Sequence, residues 1–530
     1  RGQQMNSKKD VHGGIKLAEA VRAAYARGQT DYSMEPLVRV DADGQPVGLI
    51  QEGDAVIFCC RRGEREIELT EAFTDTDFPH FERQKIADLE FVILTLYHDK
   101  FKDLPVAFAP SRLENTLGEV ISRAGKSQLR CSESEKFAHI TFFLNGGNNQ
   151  PFPGETGIRI PSPKGIPFDQ VPELSLPAVA DEVIAGIEKG YDCIFTNFAN
   201  GDVIGHTANN EAKQKCAEAV DLYLGKVVEQ ARKAGYFILI TADHGNLEEM
   251  LTPEGKPHVA HTTNPVPFIF IDPQADDNVQ PADGSLQDIA PTILQIMGIP
   301  QPDCMSGTPL VEKRTRGNGR KVLLVILDGW GIGIAGDTNP IFLASTPVWD
   351  SLCSQYPAAR LHASGEWVGL QEGKAGNSEA GHMNIGSGRV VLQDDVRLDM
   401  AMQDGTFTKN KVFMHAIQKV QKRGSRLHLI GLLTEKSSHG SIDYPLALLK
   451  MAKEYGLKDA CLHLIFDGRS TEPGSAPAML EKVEGLMADI GLGTVVTAIG
   501  RGIALDRDGN YEKIHKAYNA LVQGTGTLWT

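Results

Sequence analysis

The chain has 530 residues, of which 41% are hydrophobic, and its formal net charge is −15. This composition is typical of a globular protein, and the length allows two or three domains. The negative charge argues against non-specific nucleic-acid binding, which needs lysine and arginine to neutralise phosphates. No stretch approaches the roughly 18 apolar residues of a membrane-spanning helix, and the first residues lack the apolar core of a signal peptide. We therefore expect a cytoplasmic protein without a membrane or nucleic-acid partner.

The first third of the chain contains helices, strands and one arginine-rich turn. Residues 12–30 have helix-like apolar spacing and end at a glycine, and residues 54–60 are typical of a strand. The turn that follows, residues 61–65, is by itself more often a solvated charged loop. Residues 145–170, rich in Gly, Asn and Pro, predict a loop, whereas residues 178–189 and 288–297 predict helices. The eight scattered cysteines, without a CxxC pair, predict mostly buried thiols in a reducing compartment.

Three loops beside apolar runs carry carboxylates and imidazoles. Asp202 and His206 follow the run 193–198, Asp243 and His244 follow the run 236–240, and His261 precedes the run 266–271. Carboxylate oxygen together with neutral imidazole suits Mn, Zn, Fe or Co better than a pure oxygen cage does. These loops therefore predict a metal site.

Two further residues complete this pattern later in the chain. The run 321–327 predicts a buried strand that ends at Asp328, and ligands gather at the carboxyl ends of strands in open α/β sheets. Ser378 lies among small residues and turn formers, so that its hydroxyl can be exposed. Because a serine hydroxyl is a weak nucleophile, it needs a base or a metal. With these two residues the ligands suffice for two metals, which can clamp both oxygens of a phosphoryl transfer.

The last third predicts three buried strands, at residues 427–433, 460–466 and 495–499. Each strand end is followed by a histidine or an arginine. These residues are His439, Arg469 and Arg501, with Arg507 just beyond. Any one of the arginines alone could be an exposed member of a solvent ion pair, but the set together predicts one anion-binding crevice.

The motifs LDGWGIG, GNSEAGHMNIGSGR, NGDVIGHT and TADHGN together resemble the cofactor-independent phosphoglycerate mutases, a branch of the alkaline phosphatase superfamily. The order of the motifs differs from that family. Residues 321–530 resemble the family's first part and residues 1–312 its second, so the chain is interpreted as a circular permutant. The polar segment 312–320 is interpreted as the linker that joins the two parts.

The resemblance implies an α/β protein with two α/β domains. Residues 111–392 would form an alkaline-phosphatase-like metal-binding domain that contains the permutation seam. Residues 393–530 together with residues 1–110 would form a smaller phosphotransferase domain that binds the substrate.

The resemblance also assigns roles to individual residues. Ser378, Lys136 and His439 would be catalytic, although a lone lysine such as Lys136 is usually a surface residue. The substrate would be bound by Arg62, Arg65, Arg469, Ser470, Arg501 and Arg507. One metal would take Asp202, His206 and His261, and the other would take Asp328, Asp243, His244 and Ser378.

The implied reaction is the interconversion of 3-phosphoglycerate and 2-phosphoglycerate through a phosphoserine at Ser378. It would need two divalent metal ions, with Mn2+ first and Mg2+, Co2+ or Zn2+ as alternatives, and no 2,3-bisphosphoglycerate. The only implied partner is the small phosphoglycerate substrate, and the protein would be a monomer.

Two positions depart from the family pattern. The family motif Asp-Gly-Arg-Asp ends here in Ser470, and a serine is a poor general base alone. The loop around His439 reads Lys-Ser-Ser-His-Gly in place of the family's Gly-Gly-Val-His-Ser. Two other functions stay open at this point: a metal-dependent phosphohydrolase of the same superfamily, and a non-catalytic protein that senses phosphoglycerate or metal.

Overall fold

The computed structural model describes residues 10–61, 63–110, 113–273, 279–312, 320–435, 437 and 439–530. The described chain divides into a contiguous unit, Ser111–Val396, and a split unit, Arg1–Pro110 with Arg397–Thr530. The sequence placed the second boundary at residues 392/393. Each unit contains an eight-stranded sheet covered by helices, and the expectation of an α/β protein with two α/β domains is confirmed.

The strands are, in chain order, β1 (Leu37–Arg39), β2 (Ala55–Cys59), β3 (Glu90–Thr95), β4 (Val106–Phe108), β5 (Gln128–Glu133), β6 (Glu155–Ile160), β7 (Cys193–Phe198), β8 (Phe237–Thr241), β9 (Val266–Ile271), β10 (Gly284–Ser285), β11 (Val322–Leu327), β12 (Ala358–His362), β13 (Leu427–Leu433), β14 (Cys461–Phe466), β15 (Thr494–Gly500) and β16 (Thr527–Trp529).

The helices are α1 (Gly14–Tyr25), α2 (Ile67–Thr74), α3 (Leu117–Arg123), α4 (Leu176–Lys189), α5 (Asn200–Gly205), α6 (Asn210–Lys233), α7 (Ile289–Met297), α8 (Pro340–Leu343), α9 (Pro347–Gln355), α10 (Ser378–Ser387), α11 (Asp394–Asp404), α12 (Lys411–Arg423), α13 (Asp443–Glu454), α14 (Ala476–Ile490), α15 (Arg501–Ala504) and α16 (Tyr511–Val522). A π-helical turn spans His139–Phe143.

The sheet of the contiguous unit has the order β10-β12-β9-β8-β11-β7-β5-β6. Strands β8, β11, β7, β5 and β6 run parallel, and β9 is antiparallel to both β8 and β12. Every residue of β7, β8, β9 and β11 is buried, because helices cover both faces of these strands. The carboxyl ends of β7, β8 and β11 therefore meet at one edge of the sheet.

The sheet of the split unit has the order β16-β1-β15-β14-β13-β2-β3-β4. Strands β15, β14, β13, β2, β3 and β4 are parallel, so their carboxyl ends share one edge. Two separate apolar clusters pack against this sheet. The sheet is assembled from both parts of the unit, since β13 pairs directly with β2.

The prediction of a loop over residues 145–170 is wrong in its centre. Strand β6, Glu155–Ile160, pairs in parallel with β5 at the edge of the contiguous unit's sheet. Its residues are only half-buried or exposed, so the segment lacks the continuous apolar run that marks the inner strands. The flanking Gly and Pro residues are typical of a loop, and this segment forms a strand because it pairs with β5.

A buried chain of hydrogen bonds crosses four neighbouring strands of the split unit. Nε2 of His428 lies 3.1 Å from Asp54, and Nδ1 of His428 lies 2.9 Å from Nε2 of His463. Nδ1 of His463 lies 2.8 Å from the hydroxyl of Thr497. Burial and the adjacent His428 hold the pKa of His463 well below its ordinary value.

All eight cysteines are free thiols, and six of them are buried, which confirms the expectation of mostly buried thiols. Among the residues that the structure describes, no helix combines the length and the apolarity needed to cross a bilayer.

Candidate metal centre and anion-binding crevice

The ends of two adjacent strands supply three metal-ligand candidates. Asp243 and His244 follow β8 directly, and Asp328 follows β11 directly. Because β8 and β11 are neighbours in parallel register, their ends bring these side chains together. All three side chains are fully buried. One ligand atom from each lies within 4.8 Å of the others, which is a spacing that a single metal ion could bridge.

The loops next to β7 and β9 supply the remaining candidates. Asp202 lies on α5, the short helix after β7, and His206 ends that helix, while His261 precedes β9. Nε2 of His261 lies 3.0 Å from Oδ1 of Asp202, and Nε2 of His206 lies 3.2 Å from the same oxygen. Asp202, His261 and His244 form a second group with metal-like spacing. His244 therefore belongs to both groups, whereas the resemblance assigned it to one.

We call these six residues the histidine–aspartate cluster: Asp202, His206, Asp243, His244, His261 and Asp328. Backbone carbonyls lie within hydrogen-bond distance of one nitrogen of each imidazole ring. Nδ1 of His206 lies 2.8 Å from the carbonyl oxygen of Val259, and Nδ1 of His261 lies 2.8 Å from that of Gly376. Nδ1 of His244 lies 3.1 Å from the carbonyl oxygen of Gly245. A carbonyl oxygen can only accept a hydrogen bond, so each Nδ1 carries a proton, and Nε2 is the ring nitrogen left to bind either a second proton or a metal. Such backing of metal-binding histidines fixes both tautomer and ring orientation.

Two observations show that the cluster suits a cation. Nε2 of His206 and Nε2 of His261 lie 3.0 Å apart, which sets two lone pairs against each other unless a positive charge intervenes. The buried Oδ2 of Asp243 lies 3.2 Å from Nδ1 of His382 and 3.6 Å from Nε2 of His244. Burial alone would lower the pKa of His244, but the carboxylates of Asp243, Asp328 and Asp202 raise it to about 10. The carboxylates thus favour positive charge here, and a metal supplies it when it displaces the proton.

Ser378 lies at the centre of this cluster. It is the first residue of α10, where Asn377 caps the helix by accepting the N–H of Ala380 at 2.8 Å. Oγ of Ser378 lies 3.0 Å from Nε2 of His244 and 3.1 Å from Oδ1 of Asp328. A helix N-terminus favours negative charge on the groups beside it. The structure therefore brings the predicted serine and the predicted metal ligands together.

Lys136 follows β5 and precedes the π-helical turn. Its ammonium group donates to Oγ of Ser378 at 2.6 Å, to Asp202 at 2.7 Å and to Asp328 at 2.9 Å. Burial alone would lower the pKa of Lys136, but the two carboxylates raise it above its ordinary value, so the side chain stays charged. Lys136 is therefore a buried cation in contact with the serine hydroxyl, and not a surface lysine.

Glu248 connects the loops that carry the metal-ligand candidates. One carboxylate oxygen accepts the N–H of Asn246 at 2.8 Å and the N–H of Gly331 at 3.0 Å. The other accepts hydrogen bonds from the hydroxyl of Thr262 and from the amide of Asn264. These partners lie beside His244, Asp328 and His261 in sequence. Sequence reasoning missed Glu248 because nothing in the local motif indicates which loops it joins.

Two more polar residues that sequence reasoning missed lie behind the cluster. Nδ2 of Asn197 donates to Asp328 at 2.6 Å and lies 3.0 Å from Nε2 of His382. Nδ1 of His382 lies 2.8 Å from the carbonyl of Ser378 and 3.2 Å from Asp243. Asn197 lies within β7 and His382 within α10. The available signal in the sequence was their position in the segments Asn197-Phe198 and Gly381-His382-Met383.

The split unit gathers several of the predicted substrate residues at the carboxyl edge of its sheet. Arg65 is buried and donates to the carbonyl of Leu505 at 2.9 Å, and Arg501 is buried and pairs with Asp467. Nδ1 of His439 lies 3.1 Å from Oε1 of Glu66. These five side chains, Arg65, Glu66, His439, Asp467 and Arg501, are the strand-end cluster.

The other predicted substrate residues lie outside the buried part of this edge. Arg469 and Ser470 are exposed in the loop after β14. Arg507 is exposed and pairs with Glu64 at 3.1 Å. Arg62 lies outside the described residues. The buried and exposed arginines thus follow neighbouring strands, but only Arg65 and Arg501 belong to the buried cluster.

Three atoms of the strand-end cluster are buried and have no hydrogen-bond partner among the described residues: Oε2 of Glu66, Oδ2 of Asp467 and Nε of Arg501. Buried polar atoms are normally paired, so these three atoms are open to a bound ligand or an ordered water, the two oxygens as acceptors and the nitrogen as a donor. Cationic arginines at such an edge suit a carboxylate or a phosphate, which they can bind in a bidentate manner. The contiguous unit thus has a serine among grouped histidines and aspartates, and the split unit has buried arginines and carboxylates at the carboxyl edge of its sheet.

Comparisons with known proteins match two different parts of the chain. A family model described as the Metalloenzyme superfamily matches residues 10–301, and a model described as the BPG-independent PGAM N-terminus matches residues 398–529. The 2,3-bisphosphoglycerate-independent phosphoglycerate mutase of Moorella thermoacetica is 46% identical over 306 residues, which is 57% of this chain and 58% of the relative. The protein of the same name from Desulforudis audaxviator is 48% identical over 296 residues, 56% of this chain and 57% of the relative.

The chain thus spans little more than half the length of the curated relatives it matches. A solved structure of Leishmania mexicana phosphoglycerate mutase at low cobalt concentration matches with a TM-score of 0.41 and 29% identity, over 52% of this chain and 53% of that chain. The metalloenzyme model covers more than half of the chain, including Asp202, Asp243, His244 and His261. The chain therefore belongs to the metalloenzyme superfamily, and it is related to the 2,3-bisphosphoglycerate-independent phosphoglycerate mutases.

Proposed function

We propose that this protein is a 2,3-bisphosphoglycerate-independent phosphoglycerate mutase, an isomerase that interconverts 3-phosphoglycerate and 2-phosphoglycerate. The observation that carries the proposal is the position of Oγ of Ser378, 2.6 Å from Nζ of Lys136 and 3.0 Å from Nε2 of His244 within the histidine–aspartate cluster. The names of relatives 44–48% identical to the chain support the same reaction.

Two divalent metal ions would occupy the histidine–aspartate cluster, with Mn2+ as the first candidate and Mg2+, Co2+ or Zn2+ as alternatives. The mixed imidazole and carboxylate donors suit Mn2+, Co2+ and Zn2+ better than Mg2+, which prefers oxygen ligands. Asp202, His206 and His261 would hold one ion, and Asp243, Asp328 and Ser378 the other, with His244 within reach of either group. When bound, such ions lower the pKa of a hydroxyl and neutralise charge on phosphoryl oxygens.

Ser378 would accept the phosphoryl group and hold it as a phosphoserine. Lys136, already within hydrogen-bond distance of the hydroxyl, would stabilise the negative charge of the transferring group. The N-terminus of α10 would add to this stabilisation, because its free N–H groups favour an anion. Lys136 and the N-terminus of α10 would need no rearrangement to stabilise this charge, because both already lie beside Ser378.

The strand-end cluster and its neighbours would bind the rest of the substrate. Arg62 and Arg65 are proposed to hold the phosphoryl group, and Arg501 and Arg507 the carboxylate. Arg469, Ser470 and His439 would contact the glycerate hydroxyls. The exposure of Arg469 and Arg507 leaves both guanidinium groups accessible to a small anion.

We also propose that the chain has a circularly permuted order. The family model described as an N-terminus matches residues 398–529, whereas the metalloenzyme model matches earlier residues, 10–301. The segment 312–320, of which residues 313–319 lie outside the described residues, would be the seam. The proposed enzyme acts as a cytoplasmic monomer.

A coupled mutase assay with Mn2+ and without bisphosphate tests the function. We expect formation of 2-phosphoglycerate from 3-phosphoglycerate, loss of activity with EDTA, recovery with Mn2+, and a folded but inactive Ser378→Ala variant. Release of inorganic phosphate without 2-phosphoglycerate would instead identify a phosphohydrolase of the same superfamily. A requirement for added 2,3-bisphosphoglycerate would contradict the proposal.

A further inference from the structure

Glu66 is a fully buried carboxylate at the carboxyl edge of the split unit's sheet. It lies between the arginine-rich turn and α2, and its side chain has no solvent exposure. Oε1 lies 3.1 Å from Nδ1 of His439, and Oε2 has no partner among the described residues. Burying a carboxylate costs free energy unless the group is paired, so the hydrogen bond to His439 stabilises the buried Glu66. That contact joins it to a histidine 373 positions away in the chain.

The backbone of His439 is fixed on both sides. Its N–H donates to Oγ of Ser437 at 3.0 Å, and its carbonyl accepts the N–H of Arg61 at 3.0 Å. Since the carboxylate of Glu66 accepts from Nδ1, Nε2 is the ring nitrogen that can give or take a proton. Nε2 makes no hydrogen bond with any described residue, and the side chain is 12% exposed. A small molecule at this edge can therefore reach Nε2 of His439 and exchange a proton with it.

The surroundings leave Glu66 as the only carboxylate in contact with this ring among the described residues. The groups that face Glu66 are His439, Arg501, Cys60 and Tyr97. Burial raises the pKa of Cys60 and of Tyr97 well above their ordinary values, so both are neutral. The carboxylate of Asp467 is engaged by Arg501.

Ser470, the residue that a family comparison would place beside the substrate hydroxyls, is exposed and has no ionisable group near neutral pH. Proton transfer at this edge therefore needs another group. The only histidine of the strand-end cluster is His439, and a carboxylate behind an imidazole stabilises the imidazolium that forms when the ring takes a proton.

We propose that His439 is the proton donor and acceptor for the substrate hydroxyls and that Glu66 is its positioning residue; this inference rests on the proposed mutase function. In the first half-reaction the substrate oxygen whose bond to phosphorus breaks takes a proton from Nε2 of the imidazolium. In the second half-reaction the other hydroxyl gives its proton to Nε2, and its oxygen electron pair forms the new bond to phosphorus. The proton on Nε2 is restored, and Glu66 accepts from Nδ1 throughout.

The test measures steady-state mutase kinetics of Glu66→Gln between pH 5.5 and 9 at saturating Mn2+. The glutamine keeps the shape and an acceptor oxygen but removes the charge. We expect kcat to fall about 10- to 100-fold with little change in KM, and the pH profile of kcat to change shape. Glu71→Gln is the control, because Glu71 is a carboxylate of α2 that contacts Tyr511 and Lys100 instead of His439. It should retain the wild-type profile.

A second measurement separates this inference from the proposed function. Release of p-nitrophenol from p-nitrophenyl phosphate needs no protonation of the leaving oxygen, so Glu66→Gln should retain it. An unchanged kcat and pH profile in Glu66→Gln would overturn the proposed roles of His439 and Glu66 while the mutase function stands. Absence of mutase turnover in the wild type would overturn both. If Glu66→Gln does not fold, His439→Gln must show the same selective loss of mutase turnover, and its failure to do so overturns the inference.

Discussion

The ammonium group of Lys136 lies 2.6 Å from the hydroxyl of Ser378, and these two residues are 242 positions apart in the chain. The contact joins the end of β5 to the first residue of α10, within one unit. Lys136 also bonds to Asp202 and Asp328, so it links the serine to both groups of metal-ligand candidates.

Lys136→Met removes the cation that contacts the serine hydroxyl. We expect kcat to fall roughly 10²- to 10³-fold, because a donor aimed at developing charge in a buried site is lost. The measurement is the mutase assay at saturating Mn2+. Lys126→Met is the control, since Lys126 pairs with Asp192 at the start of β5 and touches no cluster residue. Equal losses in the two variants would contradict the role of Lys136.

Glu248→Gln should weaken metal binding. The carboxylate accepts hydrogen bonds from the loops that carry His244, Asp328 and His261, and the amide of glutamine cannot accept at both positions. Loss of a residue that orients metal ligands typically costs 10- to 100-fold in affinity, and we expect about that reduction for Mn2+. Titration calorimetry of the metal-free protein measures it directly. An unchanged affinity would show that the loops hold their positions without Glu248.

Gly381→Ala should displace α10. A Cβ at this position would lie 2.6 Å from the carbonyl oxygen of Asp243, a distance that backbone atoms cannot accommodate without moving. The first turn of α10 carries Ser378, and misplacement of a reacting group by about 1 Å can cost on the order of 10²-fold in rate. We expect a loss of that size in the mutase assay.

The control for the glycine is Gly485→Ala on α14. A Cβ there meets no atom of the described residues within 4 Å. Alanine in a helix interior is more stable than glycine by about 0.5–1 kcal/mol, so this variant should melt slightly higher and keep full activity. Full activity of Gly381→Ala would show that α10 tolerates the shift.

The buried histidine chain of the split unit predicts a dependence of stability on pH. The folded protein keeps His463 neutral below its ordinary pKa of 6.5, whereas the unfolded chain binds a proton there. Stability is therefore unaffected above that value and falls as the pH drops below it, by at most about 1.4 kcal/mol per pH unit. Asp54 has a lowered pKa and stays ionised in this range, because burial is outweighed by its hydrogen bonds to His428 and to backbone N–H groups.

Thermal melting of the wild type and of His463→Gln at pH 7.5, 6 and 5 checks this dependence. The variant should be less stable at pH 7.5, because its neighbours lose hydrogen bonds, and the difference should narrow toward pH 5. His415→Gln, on the exposed face of α12, should follow the wild type at each pH. A difference in melting temperature between the wild type and His463→Gln that stays constant across the range would exclude His463 as the source of the pH dependence.

The features that the sequence predicted have local signals. Strand β7 over Cys193–Phe198 and strand β13 over Leu427–Leu433 match the apolar runs residue for residue. Asp328 and Asp243 could be placed at strand ends because a buried run followed by an acidic residue is visible in one segment. The parallel sheet then brings these ends together, so the convergence followed from the fold class.

The features that the sequence missed depend on residues far apart in the chain. Glu66 meets His439 because β2 and β13 pair across the two parts of the split unit, and neither segment alone indicates the contact. The sharing of His244 between two metal-ligand groups depends on side-chain positions within a few ångströms. Strand β6 was hidden because an edge strand needs no apolar run.

The order in which the strands are synthesised adds a constraint on folding. Strand β11 lies between β7 and β8 and hydrogen-bonds to both, although both precede it in the chain. On the ribosome, the nascent sheet therefore lacks its central strand until residues 322–327 emerge, and two apolar strand edges remain unpaired until then. Since unpaired strand edges can associate with other chains, the delay exposes the nascent protein to aggregation at this stage of biosynthesis.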